Sequence, residues 1–344
     1  MLFARIHTTL PFTLSLLLLC LYGCSTNSAS EKTVRKSSPP AVSANTHFPR
    51  VTLEHSPLPA SDAFRLLGEK AGGGFVLMAG LEERPVPAAN WQKQPYGDVV
   101  NTYAQELDCL LFPASGYYFI APEGYESLAA VSLSAALPER YRTLTASLTL
   151  GAKTKLYTAF ALISQVLGIT ILSDNFIAES PCGELHLEDL PLGIMLEALL
   201  QSARIAPDSM TLDASDEYLF IQAKENIQPK DLLLNDRSLP AESSAILDKR
   251  LPRFAIPPVS PDNEAALFGA ESIPLKDALL PLSTQAGIEI VCRRALADIP
   301  INPFVCTDVS LRTALNLLIR QWPLPSFGYE VQDNRILLRE RAEP

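Results

Sequence analysis

Histidine is scarce in this chain, with four in 344 residues, and cysteine nearly so, with six. Such scattered histidines leave little for a multi-ligand metal centre, and six cysteines are too few for a disulfide scaffold at this length. Lysine and arginine are outnumbered, 28 against 38 acidic residues, for a net charge of −10. That sign is wrong for a phosphate backbone, which needs clustered basic side chains, so no nucleic-acid partner is expected. No apolar run reaches the roughly 20 residues that a membrane-spanning helix requires. Glycine is low at 16, whereas proline reaches 28. Apolar material is plentiful, at 47% of the chain, which is enough for packed cores and too much for wholesale disorder. At about 100–200 residues per domain, the length allows two or three domains.

Arg5 precedes an apolar segment from Leu10 to Tyr22, about 13 residues, which ends in Leu21-Tyr22-Gly23-Cys24. A charged start, a short apolar core and a small residue before the cut mark a secretory signal. The last four residues resemble the lipobox of bacterial lipoproteins. That resemblance implies loss of residues 1–23 and acylation of the Cys24 thiol. With Ser25 next, it also implies an outer-membrane address facing the periplasm. Residues 24–49 are rich in Ser, Thr, Ala, Asn and Lys and show no apolar period. They are expected to form a flexible tether. The body is anionic, so the lipid, not a basic patch, is expected to hold it at the membrane.

One small pattern recurs three times. In the clearest copy, Leu148-Thr149-Leu150 reads as a strand, and Leu156, Ala159, Phe160, Ile163 and Leu167 fall on one helical face. Gly168 stops that helix. Ile169–Leu172 and Glu184–Leu187 read as strands, Leu192, Met195, Leu196 and Leu199 as a second helix, and Tyr218–Ile221 as a closing strand. A further copy has Leu275, Ala278, Leu279 and Leu282, then Gly287, strands at 288–291 and 304–306, Leu311, Ala314, Leu315 and Leu318, and a strand at 336–338. The first copy is looser: Ala63-Phe64 with Leu66-Leu67, Gly72, Phe75-Val76-Leu77, Val99-Val100 with Tyr103, and Tyr117–Ile120. Ala63, Ala159 and Ala278 each precede their glycine by the same interval.

The expected architecture is therefore α+β, with three tandem two-layer β-α-β-β-α-β units. The boundaries are unit one at 50–121, a connector at 122–144, unit two at 145–225, a Pro-rich spacer at 226–265 and unit three at 266–341. Six prolines in 229–261 argue against buried elements there, so the third unit is expected to move independently. Pro281 falls inside a predicted helix and should kink it or cost about 3 kcal/mol.

Pro274-Leu275-Lys276-Asp277-Ala278-Leu279, a glycine and strand, then Leu311-Arg312-Thr313-Ala314-Leu315-Asn316-Leu317-Leu318 and a last strand resemble a known module. It is the short N-terminal domain shared by secretins and TonB-dependent receptors. The likeness covers the second and third units well and the first loosely. No series of amphipathic ten-residue strands follows, as a membrane barrel would need. The resemblance implies modules that contact partners or form rings in the periplasm, including rings of the same chain.

No catalytic constellation stands out. His47, His55 and His186 belong to no His-Glu-x-x-His helix, Gly72-Gly73-Gly74 lacks a following Lys-Ser/Thr, and no Gly-x-Ser-x-Gly is present. His186 reads as a solvent-side strand residue, and Glu82-Glu83 and Glu188-Asp189 as solvated loop charge. No cofactor or metal is expected. In an oxidising compartment, Cys292 and Cys306 would bridge if their two strands are neighbours, whereas Cys109 and Cys182 read as buried thiols, with pairing to each other as the alternative. The expected function is a non-catalytic, lipid-anchored envelope adaptor or scaffold, linked to secretin-dependent secretion or pilus assembly. Alternatives are an accessory of TonB-dependent uptake or signalling, and a module binding cell wall or a small ligand.

Overall fold

The computed structural model describes residues 33–36, 49–130, 132–235, 240–258, 267, 269–323, 326–332 and 335–341. The signal segment, Cys24 and His47 lie outside them. Strand β1 (Thr33–Lys36) comes first. A first set of elements follows: β2 (Arg50–His55), β3 (Leu58–Pro59), α1 (Ala60–Ala71), β4 (Gly74–Leu77), β5 (Pro85–Val86), β6 (Ala89–Pro95), α2 (Tyr96–Glu106), β7 (Cys109–Ala114) and β8 (Tyr117–Pro122). Antiparallel pairs join β2 to β6 and β3 to β5. Strand β4 lies parallel to β8, which pairs antiparallel with β7.

After α3 (Glu139–Arg142) the order returns as β9 (Thr145–Leu150), α4 (Leu156–Leu167), β10 (Ile171–Ser173), α5 (Asn175–Ala178), β11 (Leu185–Pro191), α6 (Leu192–Ser202), β12 (Met210–Ala214) and β13 (Leu219–Ala223). Strand β9 pairs with β11, a Lys155–Pro181 bridge stands where β3 met β5, and β10 runs parallel to β13, antiparallel to β12. Helix α7 (Ala241–Leu247) leads to the last set: β14 (Arg250–Ile256), β15 (Ile273–Pro274), α8 (Leu275–Ala286), β16 (Glu289–Cys292), β17 (Pro300–Ile301), β18 (Phe304–Ser310), α9 (Leu311–Arg320), β19 (Phe327–Gln332) and β20 (Arg335–Glu340). Its pairs are β14 with β18, β15 with β17, and β16 parallel to β20, which closes on β19. Helices packed on small mixed sheets make this an α+β fold.

Local chemistry explains the common plan. Helices α1, α4 and α8 stop at Gly72, Gly168 and Gly287, all left-handed with φ between 63° and 66°. In each, the glycine N–H bonds the carbonyl four residues back, a geometry a side chain would strain. Helix α8 runs through Pro281 without a break. A second signature is absent from any apolar pattern. Lys93, Asp189 and Asp308, each three residues before the next helix, have φ of 53°, 50° and 51°. Around Lys93 and Asp189 the ladder slips register, the mark of a bulge that turns the strand into its helix.

Three expectations about the elements change. Each set ends in a hairpin, not a single strand: β7, β12 and β19 are additional, because short runs such as Cys109-Leu-Leu-Phe carry no clear period. Strand β1 pairs with β9, Thr33 opposite Thr149, within the stretch expected to be all tether. The stretch expected as a spacer holds α7 and β14, and Leu232, Leu247, Leu251, Phe254 and Ile256 are buried. Pro240 stands at the start of α7 and Pro252 on β14, in a two-stranded ladder, where neither needs to donate, while Pro229, Pro257 and Pro258 lie outside helix and strand.

The sets are also not separate bodies. Strand β11 pairs with β4, Leu185 opposite Val76, joining both neighbours in one six-stranded sheet ordered β1-β9-β11-β4-β8-β7. A continuous core runs beneath it from Val51 to Ile221. The 122–144 connector is clamped to α6, where Glu197 Oε1 accepts the Leu133 and Ser134 N–H groups at 2.6 and 3.0 Å. The last set does not swing free. Thr307 N–H donates to Thr170 Oγ1 at 2.9 Å, Asn175 N–H to Gln321 O at 2.8 Å, and buried Arg320 reaches Asp213.

Candidate functional site

Strand edges are where small mixed sheets recruit partners, because their outward N–H and C=O groups lack a ladder. The comparable edges here are β7, β12 and β19, each the outer strand of its sheet. The β19 edge is covered by the chain itself. Tyr329 N–H donates to Leu232 O at 3.1 Å, and Leu234 N–H donates to Tyr329 O at 2.8 Å. Asn316 Oδ1 accepts the Leu232 N–H at 3.0 Å and fixes that segment. Gly328 permits the approach: a Cβ there would lie 2.4 Å from Leu232 O. At β12, Asp213 is engaged by Arg320 and Lys230.

Strand β7 differs. No described strand lies on its outer side, and its sequence, Cys-Leu-Leu-Phe-Pro-Ala, carries no charge. Leu110 is 41% exposed, while Leu111 and Phe112 are half-buried. On its inner side Phe112 packs on Phe119 with ring centroids 5.8 Å apart, which holds the hairpin against the core. Arg84 donates to Leu107 O at 2.7 Å just before the strand. Burial pushes the Cys109 thiol above its ordinary range, with Arg84 opposing, so this cysteine is no ready nucleophile.

The expected bridge between Cys292 and Cys306 does not form. Cys292 ends β16, whose neighbour is β20, whereas Cys306 lies in β18 opposite Phe254 of β14. The two strands belong to different sheets, and both thiols are free. Cys306 is fully buried beside Thr170, and desolvation raises its thiol far above the ordinary value. Cys182 is buried, while Cys109 is half-buried.

His55 bonds the Tyr103 hydroxyl at 2.6 Å across the first helical layer, a packing role. His186 is not a solvent-side residue. Its side chain is 17% exposed because α1 crosses over it, and Thr149 Oγ1 and Glu188 Oε1 hold its ring nitrogens at 2.9 and 3.2 Å. Glu82 is likewise buried and accepts the Gly80 N–H at 2.8 Å. Glu184, which sequence reading passed over, is 3% exposed and raised to about 7 by burial. Its one signal was alternation with His186 across Leu185.

Among the described residues no group of three or more His, Cys, Asp or Glu side chains is arranged to hold a metal ion. No described helix is long and apolar enough to cross a membrane. No family model, no curated protein and no solved structure matches the chain.

Proposed function

We propose that this protein is a non-catalytic adaptor of the bacterial envelope, anchored by a lipid on Cys24, that takes up a partner's strand along the outer edge of β7. The three sets of elements are read as tandem copies of one unit, of the kind found at the N-termini of secretins and TonB-dependent receptors. One observation carries the reading. The edge that corresponds to β7 in the last set is already occupied in parallel by Leu232–Leu234, so this architecture accepts an added strand there.

An uncovered edge is usually guarded by charge, an inward-pointing lysine or a bulge, because it otherwise templates aggregation. Strand β7 has Pro113 near its end but no charged residue. An edge left this apolar fits an occupant supplied from outside. Backbone hydrogen bonds would provide affinity, and Leu110 would provide an apolar contact. The pairing of β1 with β9, at the opposite end of the same sheet, brings the body within nine residues of Cys24. Nine residues span at most about 32 Å, which would hold the β1 end of the sheet near the membrane and present the β7 edge at its far end.

The test is in-cell photo-crosslinking from position 110, followed by membrane purification and mass spectrometry. Recovery of a secretin or pilus component from position 110, abolished by Ala114→Lys at the exposed end of the same strand, supports the adaptor and its pathway. Recovery of a receptor or its regulator keeps the adaptor and moves it to uptake or signalling. Absence of any adduct from position 110, with adducts formed from the α8 surface instead, would refute the edge.

A further inference from the structure

Between α1 and the joined sheet lies a polar cavity of about 320 Å³. Its floor is Phe75 and His186, whose rings stack at 21° with centroids 6.3 Å apart. Helix α1 comes this close because residue 68 is glycine: a Cβ there would sit 3.0 Å from Phe75 and 3.1 Å from His186. Arg65 and Glu69 of α1 form one wall, and Glu188 and Asp189 of the β11 bulge form the rim.

At the inner end stands Glu184. One carboxylate oxygen accepts the Ala152 N–H at 2.8 Å, while the other is buried with no hydrogen-bond partner among the described residues. A buried acceptor left unmet costs about 1–3 kcal/mol, and more when charged, so this oxygen calls for a donor. Arg65 does not supply it: its guanidinium is taken by Asp62 at 2.9 Å and Glu69 at 3.1 Å. With Arg65 neutralised, Glu184, Glu188 and Asp189 leave the cavity anionic. A single water occupies about 30 Å³, so the space is large enough for an organic group, at the small end of ligand clefts.

We propose that this cavity binds a primary ammonium group on a short alkyl stem, with Glu184 as its buried counter-ion and Phe75 and Leu187 against the stem. The ammonium carries three donors, which suit Glu184 and the rim carboxylates, and its stem suits the apolar floor. The same chemistry is presented by a free alkylamine and by a lysine side chain of a partner protein. Glu184 is faced by Asp62, Arg65 and Glu69 from α1 and by His186 on its own strand. Burial holds its carboxyl at about 7, so the site gains its charge as pH rises through neutrality. Affinity should rise about tenfold between pH 6 and pH 8.

The experiment is calorimetric titration of the folded protein with n-butylammonium, with an acetylated and amidated Gly-Lys-Gly peptide, and with butyrate as the anionic control. Saturable binding below about 10 mM is expected, weakened at least tenfold by Glu184→Gln, which is isosteric and keeps an acceptor for Ala152. Binding of butylammonium without the peptide assigns a free amine; binding of the peptide, with or without butylammonium, assigns a partner's lysine. If Glu184→Gln fails to fold, Glu188→Gln on the exposed rim should weaken binding about threefold. The proposal is overturned by no saturation with either cation, by equal affinity in wild type and a folded variant, or by tighter binding of butyrate.

Discussion

Arg320 Nη1 lies 2.8 Å from Asp213 Oδ2, with both side chains buried, and this pair joins the last set of elements to the one before it. The guanidinium also stacks 4.1 Å above the Phe220 ring and reaches Gln222 at 3.3 Å. A buried ion pair adds little over a well-packed apolar pair, but removing one partner strands the other. Arg320→Ala should therefore cost about 3–5 kcal/mol. Lys230 and the Tyr218 hydroxyl still reach Asp213 and should keep the loss near the lower figure. Arg320→Met with Asp213→Asn should recover at least half. Urea unfolding of the two variants and wild type checks this, and equal stability of Arg320→Ala and wild type would remove the pair from the account.

The seam between the first two sets depends on Gly183. A Cβ there would lie 1.9 Å from Leu77 O, beside the bond from Leu77 N–H to Glu184 O. Gly183→Ala must push the two strands apart and should cost at least about 3 kcal/mol. Gly168→Ala is the control: it meets nothing within 4 Å, and only its φ of +66° opposes it, for about 1 kcal/mol. Thermal unfolding of both variants separates close approach from backbone strain.

Thiol mapping should find no bridge. Cys292 is half-buried and should react slowly with iodoacetamide in the native protein, whereas Cys306 should react only after unfolding. Peptide mass spectrometry without reductant would show both as separate alkylated peptides. A linked pair would contradict the strand placement.

Stability should depend on pH through Glu184. Its folded value of about 7 stands above the ordinary 4.5, so the folded chain holds a proton that the unfolded chain releases. That contribution is fully present below about pH 4.5 and is lost as pH rises through 7. Asp174, also raised by burial, acts in the same direction. Glu184→Gln should flatten the slope between these limits and be about 1–3 kcal/mol more stable than wild type at pH 8. Urea midpoints from pH 4 to pH 8 would show it; parallel curves would refute it.

The proposed anchor on Cys24 has its own test. Cys24→Ser should lose metabolic labelling by palmitate and move from the membrane to the soluble fraction. Retention of the label would place the lipid elsewhere.

The helices were legible because their information is local. Leu156, Ala159, Phe160, Ile163 and Leu167 repeat at helical spacing, and Gly168 is the residue type that a left-handed stop requires. The recurrence of that stop at Gly72 and Gly287 was visible for the same reason. The hairpin strands were harder, since β7 and β12 are short and lack clean alternation. Lys93, Asp189 and Asp308 were invisible, because a left-handed residue held by tertiary pairing need not be glycine.

Sequence alone determined the α+β class, the positions of α1, α2, α4, α6, α8 and α9, the glycine stops of α1, α4 and α8, and the anionic character of the chain, all of which follow from spacing and composition. Tertiary structure alone decided how the strands met. It parted Cys292 from Cys306, fused two sets of elements through Leu185 and Val76, sealed the β19 edge while placing no described strand beyond β7, and enclosed Glu184 beneath α1. Strand partners far apart in the chain are chosen by the packing of whole faces, and no local period encodes that choice.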